Sequence, residues 1–342
     1  MNHKPASAAA KALEPAWLDA AAAAAASTSS AAFLSVDCTV QLDTCQKYNP
    51  SSSASIQLVR RGGSMATYQG PRRASAITAW ADRVQRPAVS RLSAESEGEF
   101  ESIDETVLIA YIPPSDAASR AAFEEVALRH YREFTFGILD LPEHQSSQRD
   151  DMPIVKCYRP LDKDMKVHGG PLAIESLEMF VKEASRPVIG ELLPSNHQRF
   201  LDRGWPMVYV FATTESERAE IRETLSKMAR GQYDSLTMVT VDPLDFPELL
   251  AKLGLEPGAF PSGAVHQLSS NKIFRYPAGQ PITVSALQKW GLDVWQGRVQ
   301  PWHAPGSTPI PEPEAQGRIK ASRKVSIKSF PGMKINIGRD EL

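Results

Sequence analysis

Cysteine is scarce in these 342 residues: there are three, Cys38, Cys45 and Cys157. The first two form a Cys-x6-Cys spacing, which is neither a zinc-ligand pattern nor a Cys-x-x-Cys redox pattern, so no metal site is expected. Charge of one sign is lacking too. With 38 basic and 40 acidic residues the formal net charge is −2, and no global field directs the chain to nucleic acid or to an anionic membrane surface. No run of 18 or more apolar residues exists, which excludes a membrane-spanning helix from the expectation. Residues 20–36 are Ala-rich and only weakly apolar. They lack the charged leader and Leu-rich centre of a signal peptide, so none is expected there. No cofactor motif is found and none is expected. What remains is a chain that is 42% hydrophobic and longer than one core normally covers, which predicts two to three domains.

The chain repeats itself about every hundred residues. Three apolar stretches, AAFLSVDC, FTFGILDL and LTMVTVDP, each end at an aspartate: Asp37, Asp140 and Asp242. Each reads as a buried strand stopped by a residue that begins a turn or caps a helix. A short β-prone run follows each: SASIQLV (53–59), DMPIVKCY (151–158) and FPSGAVHQ (260–267). Pro153 and Pro261 lead into the last two, and Ala54 stands at the matching place in the first; proline at the start of a strand spares the hydrogen-bond ladder. A second short strand and an amphipathic helix come next, with helices expected at 72–85, 172–185 and 283–296.

The middle repeat predicts strand 106–112, helix 116–131, strand 134–140, strand 153–159, a short strand near 166 and helix 172–185. The last predicts strand 206–212, helix 214–230, strand 235–242 and helix 244–253. This order describes an α/β fold, a mixed sheet with helices on both faces. The first repeat begins at a helix, and the strand expected before that helix is missing.

VDCTVQLDTCQKYN, YQGPRRASAITAWADRVQRPAVS and RPVIGELLPSN resemble the protein disulfide isomerases of the endoplasmic reticulum, especially the fungal type. The resemblance spans residues 4 to about 315 in many short motifs in the right order. It implies tandem thioredoxin-like domains: a truncated a domain at 1–87, a b domain at 88–186, a b′ domain at 187–298, and a Pro-rich linker with a basic tail at 299–342. Residues 317–338 hold six basic and no acidic residues, read as a solvated tail, and the a′ domain that follows the family's linker is expected to be missing. The chain ends in Arg339, Asp340, Glu341 and Leu342, similar to a KDEL-type retrieval signal, which together with the family implies the endoplasmic reticulum lumen.

The resemblance also assigns the stretch SAAAKALEP. In the family a catalytic Cys-Gly-His-Cys stands at a helix N-terminus and is followed by Lys-Ala-Leu-x-Pro. Here Lys11, Ala12, Leu13 and Pro15 match that tail, while Ser7 and Ala10 occupy the two cysteine positions. Disulfide exchange needs an attacking thiolate and a resolving thiol; a serine hydroxyl and a methyl group supply neither. Ala54 occupies the family's cis-proline position, where a non-proline cis bond costs roughly 2.5–4 kcal/mol, and the resemblance implies Pro153 and Pro261 as the cis-proline candidates of the other two domains. Arg72 matches an arginine that tunes the resolving cysteine. With nothing to tune, it is expected to be solvated at a helix start. Similar pairs in fungal relatives imply a structural disulfide between Cys38 and Cys45, and Cys157, in mid-strand, is expected to be a buried inert thiol.

The first domain is expected to be marginal. Residues 1–6 are too few to replace its first strands, and a sheet without its central strand leaves backbone groups unpaired. The b′ domain is the family's main peptide-binding domain, which nominates Phe200, Leu201, Val210, Ile221, Val239 and Phe260 as an apolar surface for unfolded chains. Trp302 in the linker is placed to cover it. Three functions follow as expectations: a redox-inactive isomerase-like folding factor that binds unfolded or partly folded polypeptides; a genuine isomerase whose cysteine-bearing segments are lost through a faulty gene model; or a non-catalytic scaffold or subunit of a partner enzyme. Catalysis by this chain is not expected, nor is a nucleic-acid partner or a membrane span.

Overall fold

The computed structural model describes residues 1–26, 31–48, 54–60, 63, 65–141 and 152–304. Residues 1–304 form one compact unit, in which three sheet-and-helix layers follow one another. Residues 305–342, with the retrieval-like tetrapeptide and the basic tail, lie outside the described residues.

The second layer runs β6 (Ser90–Leu92), α4 (Ala94–Phe100), β7 (Val107–Ile112), α5 (Ala117–His130), β8 (Thr135–Asp140), β9 (Ile154–Arg159), β10 (Asp164–Gly169) and α6 (Ile174–Ala184). Its sheet order is β10-β9-β7-β8-β6, with β7 parallel to β8 and antiparallel to β9. Every residue of β7 is buried, because side chains alternate across a strand and both faces are covered. Leu108, Ala110 and Ile112 meet Phe123 and Val126 of α5 and Leu177 and Val181 of α6. Val107, Ile109 and Tyr111 meet Phe100 of α4 on the other face.

The third layer repeats the plan with β11 (Gly190–Leu192), α7 (His197–Leu201), β12 (Met207–Phe211), α8 (Glu215–Gly231), β13 (Thr237–Val241), α9 (Pro247–Lys252), β14 (Ser262–Gln267), β15 (Lys272–Arg275) and α10 (Val284–Trp295). Its order, β11-β13-β12-β14-β15, is the second layer's read from the opposite edge. Helix α8 starts in a capping box, Thr214 and Glu217 each accepting from the other's backbone N–H, the arrangement that satisfies first-turn donors. Helix α9 starts at Pro247 rather than 244, because Asp242 ends β13 in a tight turn, its Oδ1 accepting from the Leu244 N–H at 2.9 Å.

In the first layer the missing strand proves to be a stub. Here β1 (Asn2–His3) and α1 (Ala8–Ala26) are followed by β2 (Val36–Asp37), α2 (Leu42–Tyr48), β3 (Ala54–Ser55), β4 (Gln57–Val59), β5 (Met65–Thr67) and α3 (Ala74–Arg83). Residues 2–3 lie between β2, to which they are parallel, and β3, to which they are antiparallel, the place that β7 and β12 hold in the other layers. On the β2 side the Val36 N–H donates to the Met1 carbonyl at 2.8 Å and the Cys38 N–H to that of His3 at 2.8 Å; on the β3 side Asn2 is in register with Ser55 and His3 with Ala54. So residues 2–3 hold the central place as a two-residue stub where β7 has six residues and β12 five; buried backbone groups recruit whatever chain is at hand. The core beneath is made by Met1, Leu13, Trp17, Ile56, Ile77 and Trp80, with Trp17 against Phe33 and Tyr68 edge-on to Trp80.

Candidate functional site

The start of α1 is closed by Ser7. Its N–H donates to the Lys4 carbonyl at 2.9 Å, its carbonyl accepts from the Lys11 N–H at 3.1 Å, and its hydroxyl accepts from the Ala10 N–H at 3.1 Å. That is the N-cap bond serine makes well: the hydroxyl is bound to the helix, not presented as a nucleophile. Ala10 is buried, and Ala54 is half-buried in β3, in register with His3.

The three cysteines are all withdrawn from solution chemistry. Cys38, just past β2, and Cys45, in α2, are joined by a disulfide with their Cα atoms 5.7 Å apart, and both are buried. Cys157 lies in the middle of β9, in register with Leu108, with no exposed surface. Burial pushes its thiol up to about 12 against the pull of nearby Arg159 and Lys166, so a thiolate is not formed there at neutral pH.

Arg72 is not the solvated residue expected. It reaches the third layer, where Nη1 meets Asp242 at 2.7 Å and Nη2 meets Asp245 at 2.5 Å. Arg73, the residue before α3, spreads over Glu105 at 2.5 Å, Glu191 at 2.9 Å and Glu215 at 3.0 Å. Two arginines of α8 complete the hub. Arg222 reaches Glu215 at 2.6 Å, and Arg218, only 2% exposed, donates to the Ala212 carbonyl at 2.9 Å and lies 3.3 Å from Asp242. The segment Pro71–Arg73 thus ties the first layer to the other two.

The hub's electrostatics are uneven. Burial drives the Glu191 carboxyl above its usual range despite Arg73, Arg222 and Arg218. Burial also acts to raise Glu215, but Arg222 and Arg73 outweigh it and hold that carboxyl low. Asp245 is raised by burial against the pull of Arg72.

The six apolar residues nominated for peptide binding do not form one surface. Val210 and Ile221 are buried in the core between the third sheet, α8 and α10. Phe200 and Val239 are buried on the opposite face of that sheet. Alternation along β12 and β13 separates the two sets, and both faces are covered, so these four are core residues. Leu201 and Phe260 are only partly buried, packed against the second of those cores beside Phe246, Leu249, Leu268 and Ile273. Trp302 lies at this end: its backbone N–H donates to the Ile273 carbonyl at 2.7 Å. Its indole covers Gly254 so closely that a Cβ there would fall 2.2 Å from the ring. Of the proline pair, Phe260–Pro261 is the one cis peptide among the described residues. The bond before Pro153 is not cis, which corrects that expectation; trans is the cheaper state unless a turn requires otherwise, and Pro153 merely opens β9.

Some of these groups were missed because their partners are remote in sequence: Arg73 binds carboxylates at 105, 191 and 215. One signal was present. Arg218 falls in register with Ile221, Leu225 and Ala229 on the buried stripe of α8, and an arginine on an apolar stripe implies an ion pair within the fold. Among the described residues no group of His, Cys, Asp and Glu side chains could hold a metal ion, and no helix is long and apolar enough to cross a membrane.

Two complete mixed sheets of one topology, each with helices on both faces, are the mark of tandem thioredoxin-like domains, and the thioredoxin-like domain family matches residues 117–291. The chain belongs to that family. It is 29% identical over 302 residues to a protein disulfide-isomerase of Humicola insolens, covering 88% of this chain and 59% of the relative. A protein disulfide-isomerase of Aspergillus niger is 28% identical over 302 residues, covering 88% and 58%. The chain therefore spans somewhat over half the length of these relatives. Among solved structures, the bb fragment of ERp72 is similar at a TM-score of 0.49 and 16% identity, covering 63% of this chain and all of that one. Human ERp44 form II gives 0.43 and 16%, covering 87% and 83%.

Proposed function

We propose that this chain is a protein disulfide isomerase-like folding factor of the endoplasmic reticulum lumen that binds unfolded polypeptide without catalysing thiol–disulfide exchange. One observation carries the reading. Of three cysteines in 342 residues, two are tied to each other and the third is fully buried, while the position matching the family's attacking cysteine holds a hydroxyl engaged in capping α1. Exchange requires a thiolate that can reach a disulfide and a second thiol to resolve the product; neither is available here. The lumenal location rests on the similarity to the fungal protein disulfide-isomerases.

The polypeptide surface is assigned to the rim of the third layer, where Leu201, Phe246, Leu249, Phe260, Leu268 and Ile273 remain partly buried and Trp302 lies against Gly254. Trp302 acts as an internal occupant that an apolar client segment displaces. The test uses a chemically denatured client enzyme and a fluorescent apolar peptide. The protein is expected to suppress aggregation of unrelated clients, and Trp302→Ala to bind the peptide more tightly and to lose part of the tryptophan emission change. Absence of suppression, or a Trp302→Ala protein whose affinity and emission response are unaltered, contradicts the reading.

A further inference from the structure

Between the second and third layers, Glu183, Arg186, Arg203, Trp205 and Asp234 line an open cleft of about 280 Å³. That is room for a phosphate with a substituent attached. Behind it stands Tyr233, with Lys166 over its ring at 4.6 Å, Arg186 at 4.7 Å and Arg203 at 5.4 Å. The tyrosine hydroxyl accepts from Arg186 Nε at 3.1 Å and from Lys166 Nζ at 3.3 Å. Arg203 also lies over Trp205 at 3.9 Å.

These cations are short of carboxylates, although Arg203 already donates to the Tyr233 carbonyl at 2.8 Å and to the Thr237 hydroxyl at 3.1 Å, so it supplies charge to the cleft while Arg186 supplies the free donor. Arg186 has Glu183 at 2.8 Å on Nη2, but its Nη1, closed off from solvent, has no hydrogen-bond partner, although the side chain is only 9% exposed. Arg199 has Glu133 at 4.0 Å. Asp234 lines the cleft too and its charge acts on Arg203. Burial, joined by repulsion from Arg186, drives the guanidinium groups of Arg199 and Arg203 below their ordinary values, as expected where positive charge is crowded and under-compensated. A guanidinium with an unmet donor is matched by an oxyanion with several acceptors.

We infer that this cleft is a binding site for a phosphate-class oxyanion, held by Arg186 and Arg203 in place of the Glu183 carboxylate. Glu183 is 58% exposed, so its arm swings out at little cost. The oxyanion then takes Nη2 and, with a small turn of the guanidinium, gives Nη1 the acceptor it lacks. Trp205 forms the apolar wall for a substituent. The site is distinct from the polypeptide rim around Trp302 and does not depend on that assignment.

The test is titration calorimetry of the whole chain with inorganic phosphate, against sodium chloride and sodium acetate at matched ionic strength. Phosphate is expected to bind where chloride and acetate do not. Glu183→Gln, a surface change that removes the competing carboxylate, should tighten phosphate binding roughly two- to five-fold. Arg186→Lys, which keeps the charge and loses the fork, should weaken it about tenfold. Acetate binding as well as phosphate overturns the phosphate assignment. No phosphate-specific heat in either the native chain or Glu183→Gln overturns the site.

Discussion

Arg73→Met removes the cation that the three layers share. Its guanidinium is 18% exposed and meets Glu191, which is 11% exposed, and Glu215, which is 23% exposed. Deleting one partner of a buried ion pair costs about 3–5 kcal/mol, because the other charge is left without compensation. Arg218 and Arg222 stay on both carboxylates, which places the loss at the lower end, about 3 kcal/mol. The more exposed Glu105 contact adds less than about 1 kcal/mol. The loss depends on pH with a defined sign. Glu191 is already raised by burial, and Arg73 is the strongest influence holding it down. Without Arg73 the folded-state value rises further, so the folded protein takes up a proton that the unfolded chain releases. Protonation then relieves the stranded charge as the pH falls from neutral toward the unfolded carboxyl's value of about 4.3. Urea unfolding should therefore show the full loss at pH 7.5 and a smaller one at pH 5.5. As a control, Lys252→Met breaks the exposed Lys252–Glu248 contact and should change stability by less than about 0.5 kcal/mol. If Arg73→Met behaves like Lys252→Met, or if its cost is the same at both pH values, the hub does not hold the layers.

Other consequences are narrower. Ser7→Ala deletes the bond to the Ala10 N–H and should destabilise the chain by about 1 kcal/mol, read by thermal unfolding. Ser7→Cys combined with Ala10→Cys restores two thiols in the first turn of α1 and should bring measurable exchange with oxidised glutathione, which either single variant lacks; an inert but folded double variant contradicts the assignment of this helix. Cys157 should not react with a thiol reagent until the chain unfolds. Because burial raises its value from 9.0 to about 12, its stabilising effect is complete below pH 9 and is lost as the pH rises above it; Cys157→Ala should flatten that part of the alkaline unfolding profile.

The long elements were legible in the sequence because their apolar patterns are strong. Strand 106–112 is found at Val107–Ile112 and helix 172–185 at Ile174–Ala184. The three-residue strands β6 and β11 and the short helices α4 and α7 were not, since too few residues repeat to show a period. The stub β1 was missed for a related reason: its pairing is set by backbone groups left open at β2 and β3, not by its own side chains. The candidate site divided along similar lines. The reading of Ser7 and Ala10 as the two motif-cysteine positions comes from the resemblance alone, carried by the Lys11-Ala12-Leu13-x-Pro15 tail. The burial of Val210, Ile221, Phe200 and Val239 cannot be read from the sequence, because an apolar side chain looks the same in a core and in a groove. Arg72 looked like a helix-start charge, since its carboxylates arrive from as far away as Asp242 and Asp245.

The most direct measurement is insulin reduction by this chain under a glutathione–NADPH couple, run beside aggregation of a reduced, denatured client. A non-catalytic polypeptide binder predicts no insulin turnover above the uncatalysed rate, together with dose-dependent protection of the client. Turnover that scales with protein concentration and persists in Cys157→Ala would contradict it.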